Sequence, residues 1–375
     1  MEVRQVSSRA EERAFVSLPY VLYREDPYWV PPLRSEQRRL FRRSTNPMLQ
    51  HCDYALFLAW EGSHAQGRVA AFIDQHANRY WGSSLGFFGS YECVDDDRVA
   101  MALLGAARDW LTARGMTAMR GPISFESQNW GFIVEGFDAP PTIMSPYNPP
   151  FYNRQMEAFG LRKVKDLEVY RGDAASGYTL PERFVRHLGR IQQRYDVRVR
   201  TVNMKELDRE VRLIVELANR SLAHNWGYAP VTEAEAADLA RSLKLILDPS
   251  VVFIVEAAGQ PIGFSIALPD VNELLRGLNG RLLPFGIFKL LLGMKKVNSY
   301  RMWALGIVPE FHRRGIDTLL YVKTYEALKP RGARLEANYV LEDNFAMKDA
   351  IIKLGLQLVR RYRVYETPLR EAASS

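Results

Sequence analysis

The residues best suited to chemistry follow an apolar strand. Tyr300–Val308 (YRMWALGIV) leads into PEFHRRGIDTLL, residues 309–320, where a turn with successive backbone N–H groups gives way to a helix. A helix N-terminus carries unsatisfied donors and the positive end of the dipole, so it favours phosphate. Arg313 and Arg314 add charge, Gly315 permits close backbone approach, and Ile316, Asp317 and Thr318 open the helix. An acid at Asp317 is unfavourable beside a phosphate and suits a helix cap. Glu336 and Asn338 alternate with Leu335, Ala337 and Tyr339 along RLEANYV (334–340), so they share one face. His224, in LAHNWGYAP (222–230), is of the type that titrates near neutral pH.

These groups need elements to hold them. Residues 54–60, 68–74, 85–91 and 119–123 read as strands, with a helix over 99–114 ended by Gly115. A helix over 152–159 and a strand over 165–170 follow. After a basic helical stretch over 181–194 the order starts again. A strand over 197–202 and helices over 206–222 and 232–246 precede a hairpin of 251–256 with 261–268. Then come strand 300–308, helix 317–328, strand 334–340, helix 345–353 and strand 358–365. Two halves of similar order suggest a tandem duplication, cut at 178/179, within an α/β (α+β) class of mixed, mostly antiparallel sheets flanked by helices. The first half has no comparable basic turn. Its counterpart, YECVDDDRVAM (91–101), is acidic and repels pyrophosphate.

The second half also holds an insert over 270–298. Within it, LLPFGIFKLLLGM (282–294) is apolar, contains Lys289, and is flanked by Arg276, Arg281, Lys295 and Lys296. Spanning a bilayer takes roughly 20 apolar residues, so this run is too short to cross. Basic edges on a short apolar run fit a helix resting on an anionic membrane surface through Phe285, Phe288 and Leu291. A buried core helix with a basic end is the other reading.

Composition narrows the class. The 375 residues are 47% hydrophobic and 25% charged, the balance of a globular protein that folds in water. The net charge of +7 suits a phosphate-bearing cofactor or an anionic membrane face. No aromatic-interleaved basic patch or known module points to nucleic acid. Cys52 and Cys93 are too few for a disulfide scaffold or a Cys-rich zinc site. His51, Cys52 and Asp53 are adjacent, but alternation in an extended chain scatters them, so no metal is expected. The N-terminus shows no apolar signal region, and a cytoplasmic protein, peripheral on the inner membrane face, is expected.

The turn His312-Arg313-Arg314-Gly315-Ile316-Asp317 resembles the phosphate loop Q/R-x-x-G-x-G/A of the GCN5-related N-acetyltransferase superfamily, departing at its first and last key positions. Asn344 and Leu354-Gly355-Leu356 resemble that superfamily's next segment, in which the usual Tyr falls here at Ile351. More broadly, DPYWVPPL (26–33), NPMLQH (46–51), GPISFESQN (121–129), GFDAPPTIM (136–144), NWGYAP (225–230), NGRLLPFGIFKLL (279–291) and YRVYE (362–366) are similar to the double-domain proteobacterial group that includes the bacterial ceramide synthases.

This resemblance implies tandem acyltransferase domains, 1–178 without a recognisable CoA loop and 179–375 with one. It implies acyl-CoA as co-substrate and long-chain transfer to a sphingoid-type amine. The thioester carbonyl would meet N–H groups near Ile307 and Val308. CoA would lie on residues 313–318 and Asn344, and the acceptor on Asn225, Trp226, Tyr228 and Asn338. Glu336 or His224 would take the amine proton, so Glu336→Gln or His224→Ala should cut turnover by roughly 100-fold. Acetyl or aminoacyl transfer to another small amine or a cell-wall precursor stays open, as do a non-catalytic lipid- or partner-binding role and the oligomeric state.

Overall fold

The computed structural model describes residues 1–125, 129–282, 284 and 286–369, with Arg183 through its backbone alone. Thirteen strands occur among them: β1 Glu2–Gln5, β2 Cys52–Glu61, β3 His64–Asp74, β4 Leu85–Cys93, β5 Ala118–Gly121, β6 Phe132–Glu135, β7 Arg162–Asp173, β8 Val197–Thr201, β9 Val252–Ala257, β10 Gln260–Pro269, β11 Ser299–Ile307, β12 Arg334–Leu341 and β13 Gln357–Pro368. The chain forms two compact units, one of residues 1–167, 274–288 and 360–375, the other of 168–273 and 289–359. Contacts thus group the chain differently from a single cut at 178/179, because the C-terminal strand returns to the first unit, where β13 pairs antiparallel with β5.

In the first unit the sheet runs β1-β2-β3-β4-β5-β13, with β6 also on β13. All its pairs are antiparallel except β4 with β5. The helix Asp97–Thr112 starts where the Asp96 side chain accepts the Arg98 N–H, and it buries Val99, Ala100, Leu103, Leu104, Ala107 and Leu111. That spacing is one helical face, laid against an apolar core with Phe88, Met119 and Tyr365.

The second unit orders its strands β8-β9-β10-β11-β12. Of the pairs along this run, β11 with β12 is parallel and the other three are antiparallel. Residues 262–269 of β10 are all buried, as a near-continuous apolar run in mid-sheet requires. The helices Asp317–Leu328 and Phe345–Lys353 contribute Tyr321, Leu328 and Ile351 to a core shared with Leu335, Ala337 and Leu356. The fold class therefore matches the α/β expectation. The helix expected over 181–194 is interrupted at His187, giving Glu182–Arg186 and Leu188–Tyr195.

Candidate active site

β11 and β12 stay paired only from Ser299 opposite Arg334 to Met302 opposite Ala337. On its other edge β11 carries a bulge. Ile266 faces Ala304 and Ala267 faces Met302, so Trp303 is the extra residue. A bulge bends its strand and increases the local twist. Beyond it the two strands part, and the gap opens into a cavity of about 590 Å³. Its walls include Met302 to Ile307 of β11, Ala337 to Leu341 of β12, and the inner faces of the helices Asp317–Leu328 and Phe345–Lys353. A larger charged groove of about 1080 Å³ lies along the helix Leu207–Ser221, where Arg200 is already bound to Glu210 and Glu256.

The basic turn borders the cavity of the parted strands. Phe311 N–H donates to the Val308 carbonyl at 3.0 Å, and His312 Nε2 lies 2.7 Å from the Ile307 carbonyl. Arg313 and Gly315 both take positive φ, 59° and 72°, which curls the loop over the helix start. Arg313 is exposed and lines the cavity. Arg314 is exposed but stacks over Phe311 and Tyr195, at 4.7 and 5.1 Å from the ring centroids. Ile316 is buried, and the Thr318 N–H is used by the Gly315 carbonyl. Asn344 lines the cavity while its side chain caps the second helix through the Met347 N–H.

Asp317 does not take the capping role that its type suggested: it is the first residue of the helix, and the cap position is Ile316, which makes no side-chain capping hydrogen bond. Its carboxylate lies within electrostatic reach of the first helix N–H groups and the Tyr321 hydroxyl. Burial outweighs the pull of those neighbours and raises its pKa. Tyr321, one turn on, is pushed up by burial and by Asp317, so it keeps its proton at neutral pH. The Tyr321 oxygen also lies 3.4 Å from Met347 Sδ on the facing helix. Thr324 completes the face: its hydroxyl is buried without a hydrogen-bond partner, and the residue lines the cavity. The superfamily's Tyr position falls at Ile351, which lines the same cavity. The signal that would have found Tyr321 is the spacing 317, 321, 324, which is one face of a helix.

Two expected roles change. Glu336 does not line the cavity, and it is not placed to take an amine proton there. Leu335 and Ala337 take the cavity side of the strand, while the Glu336 carboxylate, 2% exposed, binds Arg171 at 2.9 and 3.2 Å. Asn338 lines the cavity and links this pair to Arg301, at 3.4 Å from Glu336 and 3.3 Å from Arg301. A buried carboxylate held this way is a structural charge. Removing one partner of such a pair costs about 3–5 kcal/mol. The Val308 N–H is also unavailable to a thioester, because it donates to the Ile262 carbonyl at 2.9 Å.

On the acceptor side, Asn225 lines the cavity; His224, Trp226 and Tyr228 stand in the same loop but outside the described lining. His224 is exposed, and Tyr228 donates to Asn219 Oδ1 at 2.6 Å, holding the loop to the helix it follows. The apolar insert forms the helix Gly286–Gly293. Phe288 and Leu291 are 62% and 51% exposed, beside exposed Lys289, Lys295 and Lys296, while Phe285 lies outside the described residues. Among the described residues no helix is long and apolar enough to cross a membrane.

No protein-family model matches the chain. Two curated proteins are similar along nearly the whole of it. The bacterial ceramide synthase of Caulobacter vibrioides is 35% identical over 378 residues, covering 98% of each chain. Protein YghO of Escherichia coli K12 is 33% identical over 376 residues, covering 97% of this chain and 94% of that one. The chain belongs to the double-domain GCN5-related N-acetyltransferase group that includes the bacterial ceramide synthases. As a member of that group it is an N-acyltransferase. The fold agrees. A tandem acetyltransferase-fold protein from the clavulanic acid pathway matches with a TM-score of 0.60 at 11% identity, over 99% of both chains. A GCN5-related N-acetyltransferase from Sphaerobacter thermophilus matches at 0.54 and 13% identity, over 100% of this chain and 97% of that one.

Proposed function

We propose that the protein transfers a long acyl chain from acyl-CoA to a sphingoid-type amine in the cavity between β11 and β12. The observation that carries this is the parting of the two parallel strands beside a basic helix start. A pantetheine arm can lie along the exposed strand edges, with its pyrophosphate against Arg313 and the dipole end of the helix. The largely apolar walls, including Met302, Leu305, Ile351 and Leu354, suit an acyl chain. The whole-length similarity to a protein named bacterial ceramide synthase supports the same substrate class.

In the proposed step the amine nitrogen attacks the thioester carbonyl carbon, the C–N bond forms and the C–S bond breaks. His224, next to the cavity-lining Asn225, takes the amine proton. Tyr321 gives its proton to the departing thiolate, the task expected of a Tyr at position 351. The exposed apolar and basic helix Gly286–Gly293 rests on an anionic membrane surface, from which both lipid substrates are collected. Replacing Phe288 and Leu291 by Ser should release the protein from anionic vesicles, and unchanged binding would remove the helix from this role.

The test is free-thiol release with a ladder of acyl-CoAs, with and without sphinganine and 3-ketosphinganine, and products identified by mass. Release that needs both a long-chain thioester and a sphingoid amine is expected. Turnover with acetyl-CoA and unrelated amines would contradict it.

A further inference from the structure

The first unit holds a cluster of side chains that the acyl transfer does not use. Alternation along β2 does separate Cys52 from Asp53, whose carboxylate accepts from Gln75 Nε2 at 3.1 Å. The β2–β3 hairpin brings a different acid. Its register sets Cys52 directly opposite Asp74, the last residue of β3. His51 precedes β2, and its carbonyl accepts the Gln75 N–H at 3.0 Å, which closes this end of the hairpin. The helix Gln75–Trp81 starts there and carries His76, whose ring centroid lies 5.3 Å from that of His51.

The donor atoms converge. His51 Nδ1 is 3.0 Å from Asp74 Oδ1 and 4.0 Å from Cys52 Sγ, and all three ligand atoms lie within 4.8 Å of one another. Zinc bound tetrahedrally at its usual 2.0–2.3 Å bond lengths places neighbouring ligand atoms about 3.5 Å apart. Cys52 and Asp74 are buried, and His51 and His76 are partly exposed, so the cluster has a dry inner side and an entry. Its frame is fixed from outside. Arg43 donates to the carbonyls of Leu49 and Cys52 at 2.9 and 2.7 Å, and Asp74 Oδ1 accepts the Ala77 N–H at 2.9 Å.

The geometry points to a divalent-metal site formed by His51, Cys52 and Asp74. His76, whose ring centroid is 5.3 Å from that of His51 but which stands outside the convergent set, would have to turn inward to supply a fourth bond. A thiolate, imidazoles and one carboxylate are a zinc donor set. On binding, the Cys52 thiol releases its proton to solvent. His51 carries its proton on Nε2 and offers the Nδ1 lone pair to the metal. The bond from Nδ1–H to Asp74 is then replaced by two metal bonds. The metal would tie the turn before β2, the end of β3 and the helix start together.

The test uses the full-length chain freed of metal by a chelator, then titrated with Zn²⁺ or Co²⁺ alone. One equivalent should bind, Co²⁺ should give a thiolate charge-transfer band, and Zn²⁺ should raise the unfolding midpoint. Cys52→Ser should remove the band and weaken Zn²⁺ binding by more than about 100-fold, beyond what loss of an outer-shell contact costs. Cys93→Ser should leave the band intact. Asp74→Asn can still accept the Ala77 N–H, so it should fold and yet bind Zn²⁺ more weakly. Absence of stoichiometric binding, or a thiolate band that survives Cys52→Ser, would overturn the site.

Discussion

In each unit a helix links the two strands of a parallel pair, β4 with β5 and β11 with β12, and the two pairs end differently. In the first unit β4 and β5 pair at Leu85–Phe87 with Ala118–Arg120, and the chains stay together beyond that point, with the Ile123 N–H bonded to the Phe88 carbonyl. Two glycines permit the approach. A Cβ on Gly89 would fall 1.7 Å from the Ile123 oxygen, and one on Gly121 would fall 2.3 Å from the Phe88 oxygen. In the second unit β11 and β12 part after four residue pairs and leave a cavity. The helix starts differ as well. Asp95 and Asp97 share a single partner, Arg154, in one, while exposed Arg313 faces the cavity in the other. One topology thus gives a filled seam or a binding cleft, according to whether small residues let the backbones meet.

The largest effect is expected at the proton donor. Tyr321→Phe should lower kcat by about 100-fold or more while acyl-CoA affinity changes little. Wild-type turnover in this variant would return the search to other groups in the cleft. Next, Arg313→Ala with Arg314→Ala should weaken acyl-CoA binding by about 10-fold, whereas Asp95→Asn with Asp97→Asn should leave it unchanged. Equal effects in calorimetry would end the distinction between the units. Third, Gly89→Ala should destabilise the protein by about 1–3 kcal/mol in denaturant unfolding, with acyl-CoA affinity of the folded fraction preserved.

The smallest effect separates the two helix starts by pH. Asp317 has its pKa raised by burial, so its ionised form disfavours folding. That penalty is present at neutral pH, shrinks as pH falls through the raised folded value, and is gone below the ordinary 3.8. Asp317→Asn should therefore raise the unfolding midpoint at pH 7 and lose the gain in acid. Asp96 has its pKa lowered, first by the Arg98 side chain and then by the Arg98 N–H. Its contribution is favourable above 3.8 and disappears as pH falls through the lowered value. Asp96→Asn should shift the midpoint the other way.

Much of this was legible in the sequence because periodicity and end signals are local. The helices at 97–112 (expected at 99–114), 317–328 and 345–353 and the β2–β3 hairpin follow from apolar spacing, caps and glycines. β6 was hidden inside a Gly- and Pro-rich loop, and its partner β13 is remote in sequence. Of the basic turn read from the sequence, Arg313 lines the cavity, and Gly315 takes the positive φ that its type allows. At Glu336 alternation gives the face shared with Asn338 but not the buried ion pair with Arg171 that takes the Glu336 carboxylate, while Asn338 does line the cavity. Tyr321 is not announced by the superfamily pattern, whose Tyr position falls on another helix, at Ile351. Asp74 beside His51 and Cys52 depends on hairpin register, which composition does not reveal.

The most direct test is the number and place of acyl-CoA sites, measured by calorimetric titration of the full chain with octanoyl-CoA. One site per chain is expected. Ala337→Phe, which fills the gap between β11 and β12, should abolish it, while Gly89→Ala should retain it. Two sites, or full affinity in a folded Ala337→Phe variant, would contradict the assignment of acyl transfer to the cleft of the second unit.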